Sequence, residues 1–192
     1  MLAFLDTEFT DLVIRPQLLS VGIVTDRGSD REFYAEVTDP DRIHATNWFG
    51  LASVLPQFGK VDHSACTYAE LGSYLDAFLG DLVGSLPSDG FVELAYEYHL
   101  DWELTELAIR DAEPKSWPST RRRIRPVNVY ALTGFGAAKL AARAYFKAQT
   151  QALISRHHAL CDARALRVAH ETAERSQTTI PLEGKTYGIV AA

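Results

Sequence analysis

The run Leu2-Ala3-Phe4-Leu5-Asp6-Thr7-Glu8-Phe9 decides the fold. Residues 2–5 are a short, unbroken apolar stretch, the pattern of a buried strand. Side chains at i and i+2 of a strand face the same way, about 7 Å apart. Asp6 and Glu8 therefore project together from the end of that strand. Two like charges held there repel and lose hydration. A divalent cation is the usual remedy; the alternative is a strand end that frays into solvent with two harmless acids. Asp-x-Glu occurs four times in the chain, where about one match is expected by chance. Context separates the copies: Asp30/Glu32 borders a turn, Asp111/Glu113 lies at a helix end beside Pro114, and Asp6/Glu8 alone closes a buried strand.

Working outward, residues 17–25 (QLLSVGIVT) and 31–37 (REFYAEV) flank Arg27-Gly28-Ser29-Asp30 and predict an antiparallel hairpin. Residues 39–63 are irregular. Thr67 with Glu70 forms a capping box, followed by Leu71, Tyr74, Leu75, Phe78, Leu79 and Leu82 at helical spacing. After Pro87–Gly90, residues 91–96 read as a strand and 101–110 as a helix. Residues 111–126 hold three prolines and five basic residues and read as a loop. A strand over 127–132 and helices over 136–151 and 159–174 complete the pattern. The order βββαβαβα predicts an α/β domain over residues 1–175, with a mixed five-stranded sheet flanked by helices: antiparallel strands 1–3, then crossover strands 4–5. Residues 176–192 form a tail to which no role is assigned.

Composition narrows the function classes. The chain has 192 residues, 47% apolar and 23% charged, and a net charge of −6. That is an ordinary globular mix, and the negative balance argues against a basic surface that coats phosphates. An acidic chain can still act on nucleic acid where metal ions supply the positive charge. Cys66 and Cys161 form no CxxC, so a disulfide framework is not expected and a reduced, cytoplasmic compartment fits. The acids at 6 and 8 interrupt the N-terminus before a signal-peptide core develops. The richest apolar stretch, 71–83, is broken by Asp76 and Asp81, so no membrane span is expected.

Two further segments carry chemistry. In Arg156-His157-His158-Ala159-Leu160-Cys161-Asp162, His158 lies four residues before Asp162 and would share its helix face. His157 reaches the same cleft if it sits in the loop before the helix. A His beside a carboxylate can serve as general base or simply cap the helix. Zinc on His158 and Cys161 lacks further ligands, and a cysteine nucleophile at Cys161 lacks an orienting group. In Tyr96-Glu97-Tyr98-His99-Leu100-Asp101, Asp101 follows a strand and opens a helix. It is either an N-cap or a third metal carboxylate.

In order and separation, Asp6-Thr7-Glu8, Asp101, and the run His157, Ala159, Asp162 resemble the DEDDh family of 3′–5′ exonucleases on the ribonuclease-H-like fold. The likeness spans residues 1 to about 172. Asp6-Thr7-Glu8-Phe9, with Asn47-Trp48-Phe49 and Val54-Leu55-Pro56, further resembles a branch of small bacterial 3′–5′ exoribonucleases. Phe9 stands where proofreading exonucleases usually carry Thr, which argues against polymerase proofreading. The resemblance implies two Mg²⁺ or Mn²⁺ ions on Asp6, Glu8, Asp101 and Asp162. It also implies His157 as the general base, with His158 as the fallback that helix geometry favours. The reaction would release nucleoside 5′-monophosphates from RNA 3′ ends, single-stranded or overhanging. Substrate contacts are expected from Thr7 and Phe9 at the first strand and from Arg122 and Arg123 in the basic loop. Phe9 could equally be core, and the arginines solvated or part of a dimer contact. Trp48 and Phe49 could stack as well, but core packing or a homodimer contact is the preferred reading. A 3′–5′ exodeoxyribonuclease and a non-catalytic nucleic-acid-binding scaffold are the competing readings.

Overall fold

The computed structural model describes the chain except residues 13–14, 27–29, 150–152 and 179–192. Among these residues, six strands form one mixed sheet: β1 (Leu2–Phe9), β2 (Leu18–Thr25), β3 (Glu32–Val37), β4 (Ala65–Cys66), β5 (Val92–Tyr96) and β6 (Ile124–Asn128). Their order is β4-β3-β2-β1-β5-β6. The first three strands pair antiparallel; β5 lies parallel to β1, β6 parallel to β5, and β4 parallel to β3. This is the expected mixed sheet with one strand added. Two residues are too few to show any period, so β4 left no mark in the sequence. The expected turn residues 27–29 lie outside the described residues, but the hairpin closes around them, with Thr25 N–H donating to the Arg31 carbonyl.

Among the described residues, seven α-helices surround the sheet: α1 (Pro40–His44), α2 (Tyr68–Gly84), α3 (His99–Asp111), α4 (Trp117–Arg121), α5 (Tyr130–Thr133), α6 (Gly136–Ala148) and α7 (Ala159–Thr178). The capping box of α2 forms as its sequence predicts, with Thr67 N–H donating to Glu70 Oε2 at 2.8 Å. The expected loop 111–126 instead carries α4 and the start of β6. That strand lies three residues ahead of the expected 127–132 and contains Pro126, which an edge strand tolerates because one side of its backbone needs no partner. Helix α7 continues past the expected boundary at residue 175, and the expected tail from 179 onward lies outside the described residues. Among the described residues no helix is long and apolar enough to cross a membrane. Both cysteines are free and buried.

Strand alternation sends the chemistry to one face. Ala3 and Leu5 join the larger core with Leu71, Leu75 and Leu79 of α2 and Ala108 of α3. Phe4 points to the opposite face and packs with Leu160, Cys161 and Leu166 of α7. Asp6 and Glu8 follow Phe4 in the period of two, so they emerge on the α7 side. Thr7 emerges on the α3 side. Gly22, paired across the strands with Asp6, lets α7 sit directly on the sheet. A Cβ there would stand 2.4 Å from the backbone of Ala159 and Leu160, far inside contact distance.

Candidate active site

Four acids from three regions of the chain converge at the C-terminal ends of β1 and β5. Asp6 and Glu8 come from β1. Asp162 comes from the first turn of α7, seated beside Asp6 by the close approach at Gly22. Asp101 comes from the α3 side. Helix α3 begins two residues earlier than its sequence suggested, so Asp101 stands inside the first turn and not at the cap. Its Oδ2 accepts from Tyr98 N–H at 3.1 Å. Its Oδ1 accepts from the Thr7 hydroxyl at 2.8 Å and from Thr7 N–H at 3.2 Å. Asp101 is 4% exposed, and these three donors keep it in place.

The electrostatics are strained. Burial, then Asp162, Asp101, Glu8 and Glu97, raise the Asp6 carboxyl well above its ordinary value. Burial, then Asp162 and Asp101, push Glu8 up to about 8, while Arg156 opposes them. Burial lifts Asp162 to about 7 and Asp101 to about 6, the latter against the pull of its Thr7 and Tyr98 hydrogen bonds. Asp6 Oδ2 and Asp162 Oδ1 are shut off from solvent and have no hydrogen-bond partner among the described residues. Buried oxygens of this kind normally have partners. Carboxylates offer acceptors only, so what they lack is a donor or a cation. Glu8, His157 and Asp162 can each place one ligand atom within 4.8 Å of the others. Such a cluster could hold a metal ion, and its carboxylate oxygens are donors suited to a hard divalent cation.

The two histidines part company. His157 sits in the left-handed backbone region, φ 68°, which side-chain-bearing residues adopt uncommonly. There its N–H donates to Asp162 Oδ2 at 3.0 Å. Its ring meets Phe49 edge-on, with centroids 4.9 Å apart, and it lines the pocket with Asp6 and Asp162. Burial, then Arg156, lowers its pKa, which favours the neutral ring. His158 turns the other way. It is 1% exposed, stacked on Tyr34 at 4.2 Å, and burial depresses its pKa to about 4. The structure thus brings His157, and not the fallback His158, to the carboxylates.

Not every expected substrate residue arrives. Thr7 is buried and committed to Asp101, so it positions a carboxylate. Phe9 stacks on Tyr98 and lines a cavity of about 210 Å³ with Glu8, Asn47 and Phe49. Arg122 and Arg123 precede β6, whereas the acids cluster where the parallel strands β1 and β5 end. The basic loop therefore lies at the opposite pole of the sheet. Arg123 Nε donates to the Gly90 carbonyl at 2.9 Å, and Arg121 pairs with Glu106. Consecutive arginines in a Pro-rich run looked like a phosphate contact, but Arg121 and Arg123 are engaged within the protein. Two residues at the site went unmarked in the sequence. Glu97, one position past β5, and Arg156, just before His157, line the pocket of about 230 Å³ with Asp6, His157 and Asp162. Glu97 follows a strand end as Asp101 does, and that shared position was the available signal.

No family model matches the chain, and no curated protein matches it in sequence. A solved structure of 3′-end-specific recognition of a histone mRNA stem-loop by a 3′-exonuclease does match. It superposes with a TM-score of 0.56 at 11% identity, covering 91% of this chain and 63% of that one. The fold is shared with a 3′-exonuclease. At that identity the likeness speaks for the architecture, the mixed sheet flanked by helices, and this chain spans less than two thirds of the matched one.

Proposed function

We propose that this protein is a metal-dependent 3′–5′ exoribonuclease of the DEDDh type, removing nucleoside 5′-monophosphates from RNA 3′ ends. The observation that carries the proposal is the convergence of Asp6, Glu8, Asp101 and Asp162, with two buried, unpartnered carboxylate oxygens, on a fold shared with a 3′-exonuclease. Asp6, Glu8, Asp101 and Asp162 would hold two Mg²⁺ or Mn²⁺ ions. Bound there, the ions would supply the positive charge that polarises the scissile phosphate and steadies the departing oxygen. His157 accepts the proton of the attacking water, for which its depressed pKa keeps the ring neutral near pH 7. Thr7 and the Tyr98 N–H orient Asp101. Phe9 and Phe49 offer aromatic faces to the terminal base.

Matched RNA and DNA 12-mers labelled at the 5′ end, incubated with Mn²⁺, test this reading. We expect the RNA to shorten one nucleotide at a time from its 3′ end and the DNA to resist. Equal or faster loss of DNA would leave the nuclease and remove its RNA preference. Intact oligonucleotides across Mg²⁺, Mn²⁺ and Co²⁺ would leave a non-catalytic scaffold.

A further inference from the structure

The phosphate contacts that the basic loop does not provide have another source. Beyond Glu97 and Arg156 the carboxylate pocket continues into a second cavity of about 350 Å³ between α5 and α6. It is lined by Tyr130, Thr133, Lys139, Arg143 and Phe146, and it shares Glu97, Ala142, Phe146 and Arg156 with the carboxylate pocket.

Its charge is distinctive in a chain with a net charge of −6. Lys139 and Arg143 are one helical step apart (i, i+4) on α6, so they face the same way. Both are exposed, and neither has an ion-pair or side-chain hydrogen-bond partner among the described residues. The α6 sequence GAAKLAARAYFKA contains no acid. Like charges at that spacing cost the helix a little stability, and nothing on α6 offsets it. Glu97 is the acid at the mouth, and its carboxylate is engaged by the Thr133 hydroxyl. Exposed aromatics stand beside the charges. Tyr130 and Phe135 meet edge-on with centroids 5.5 Å apart, and each is about half exposed or more. Cations interleaved with open aromatic faces, leading into a hydrolytic pocket, are the chemistry that follows a single nucleic-acid strand.

We propose that the α5–α6 cleft binds the single strand upstream of the scissile bond, with Lys139, Arg143 and Arg156 taking its phosphates and Tyr130 and Phe135 stacking its bases. This rests on the nuclease reading. It also gives the strand a direction: the terminal base goes to the Phe9–Phe49 side, and the body of the strand leaves over α6.

The test uses the full chain with Lys139→Ala/Arg143→Ala, and Lys139→Gln/Arg143→Gln as a second pair. Bis(p-nitrophenyl) phosphate, too small to reach the cleft, should be hydrolysed at the unaltered rate by both. For a 12-mer RNA, KM should rise about tenfold. The log–log salt slope of binding should fall by about 1.4, two phosphate contacts on a single strand. An unchanged KM and slope would overturn the track. Binding is read separately by fluorescence anisotropy of the same labelled 12-mer on Asp6→Asn, alone and combined with each pair. Should no substrate be cleaved by the native chain, the nuclease reading falls, and anisotropy still decides the track. Loss of binding in the combined variants supports it; equal binding, or no binding by Asp6→Asn alone, overturns it.

Discussion

At the scale of single residues, the site sets a carboxylate cluster beside an imidazole whose pKa burial and Arg156 lower. Without metal, burial pushes Glu8 up to about 8, Asp162 to about 7 and Asp101 to about 6, from ordinary values of 4.5, 3.8 and 3.8. Between about pH 4 and pH 8 the folded chain therefore holds more protons than the unfolded one, and stability falls as pH rises through that window. Asp6→Asn removes a buried carboxyl whose ionisation the cluster opposes. In EDTA its Tm should exceed that of the native chain at pH 8, by about 2–4 °C for each kcal/mol relieved, and the advantage should shrink by pH 5. A constant difference at both pH values would contradict the cluster. His157→Ala should cost about 10²–10⁴-fold in kcat and change Mn²⁺ affinity much less. Equal losses in both would make His157 a ligand. His158→Leu, at a site packed against Tyr34, should leave kcat within a few-fold.

At the scale of elements, the site depends on how closely α7 approaches the sheet. Gly22 is paired with Asp6 and lies against the backbone that opens α7. Gly22→Ala should push that first turn outward and carry Asp162 away from Asp6. Overpacking of this kind costs about 1–3 kcal/mol, visible as a lower Tm, and activity should fall by more than the folded fraction does. Retained activity with a lower Tm would separate the helix seat from the chemistry. Much of this level was legible in the sequence. The apolar run 2–5 with acids at 6 and 8 gave the strand and its face, and Thr67 with Glu70 marked the start of α2. What escaped was set by tertiary context. Pro126 hid β6 because an edge strand forgives a missing N–H. Local pattern does not say that Arg123 would satisfy the carbonyls of Pro87 and Gly90. Nor does spacing alone choose between two adjacent histidines: the backbone at His157, φ 68°, aims one at the acids and the other at Tyr34.

At the scale of the molecule, the proposed function requires a protein of net charge −6 to bind a polyanion, and that is met only if its attraction is concentrated locally. Cations in the acid pocket and the strip on α6 would supply locally what the overall charge denies. Metal that binds the folded state alone should also stabilise it, by about 2.7 kcal/mol at a hundredfold excess over Kd. The rise in Tm with Mn²⁺ should be lost in Asp6→Ala and Asp162→Ala, which should also be inactive while remaining folded. The most direct measurement is a calorimetric titration of Mn²⁺ into the metal-free chain at pH 8. Two ions per chain, with proton release and with binding abolished by Asp162→Ala, is the predicted result. Absence of any saturable uptake at millimolar Mn²⁺ would contradict it.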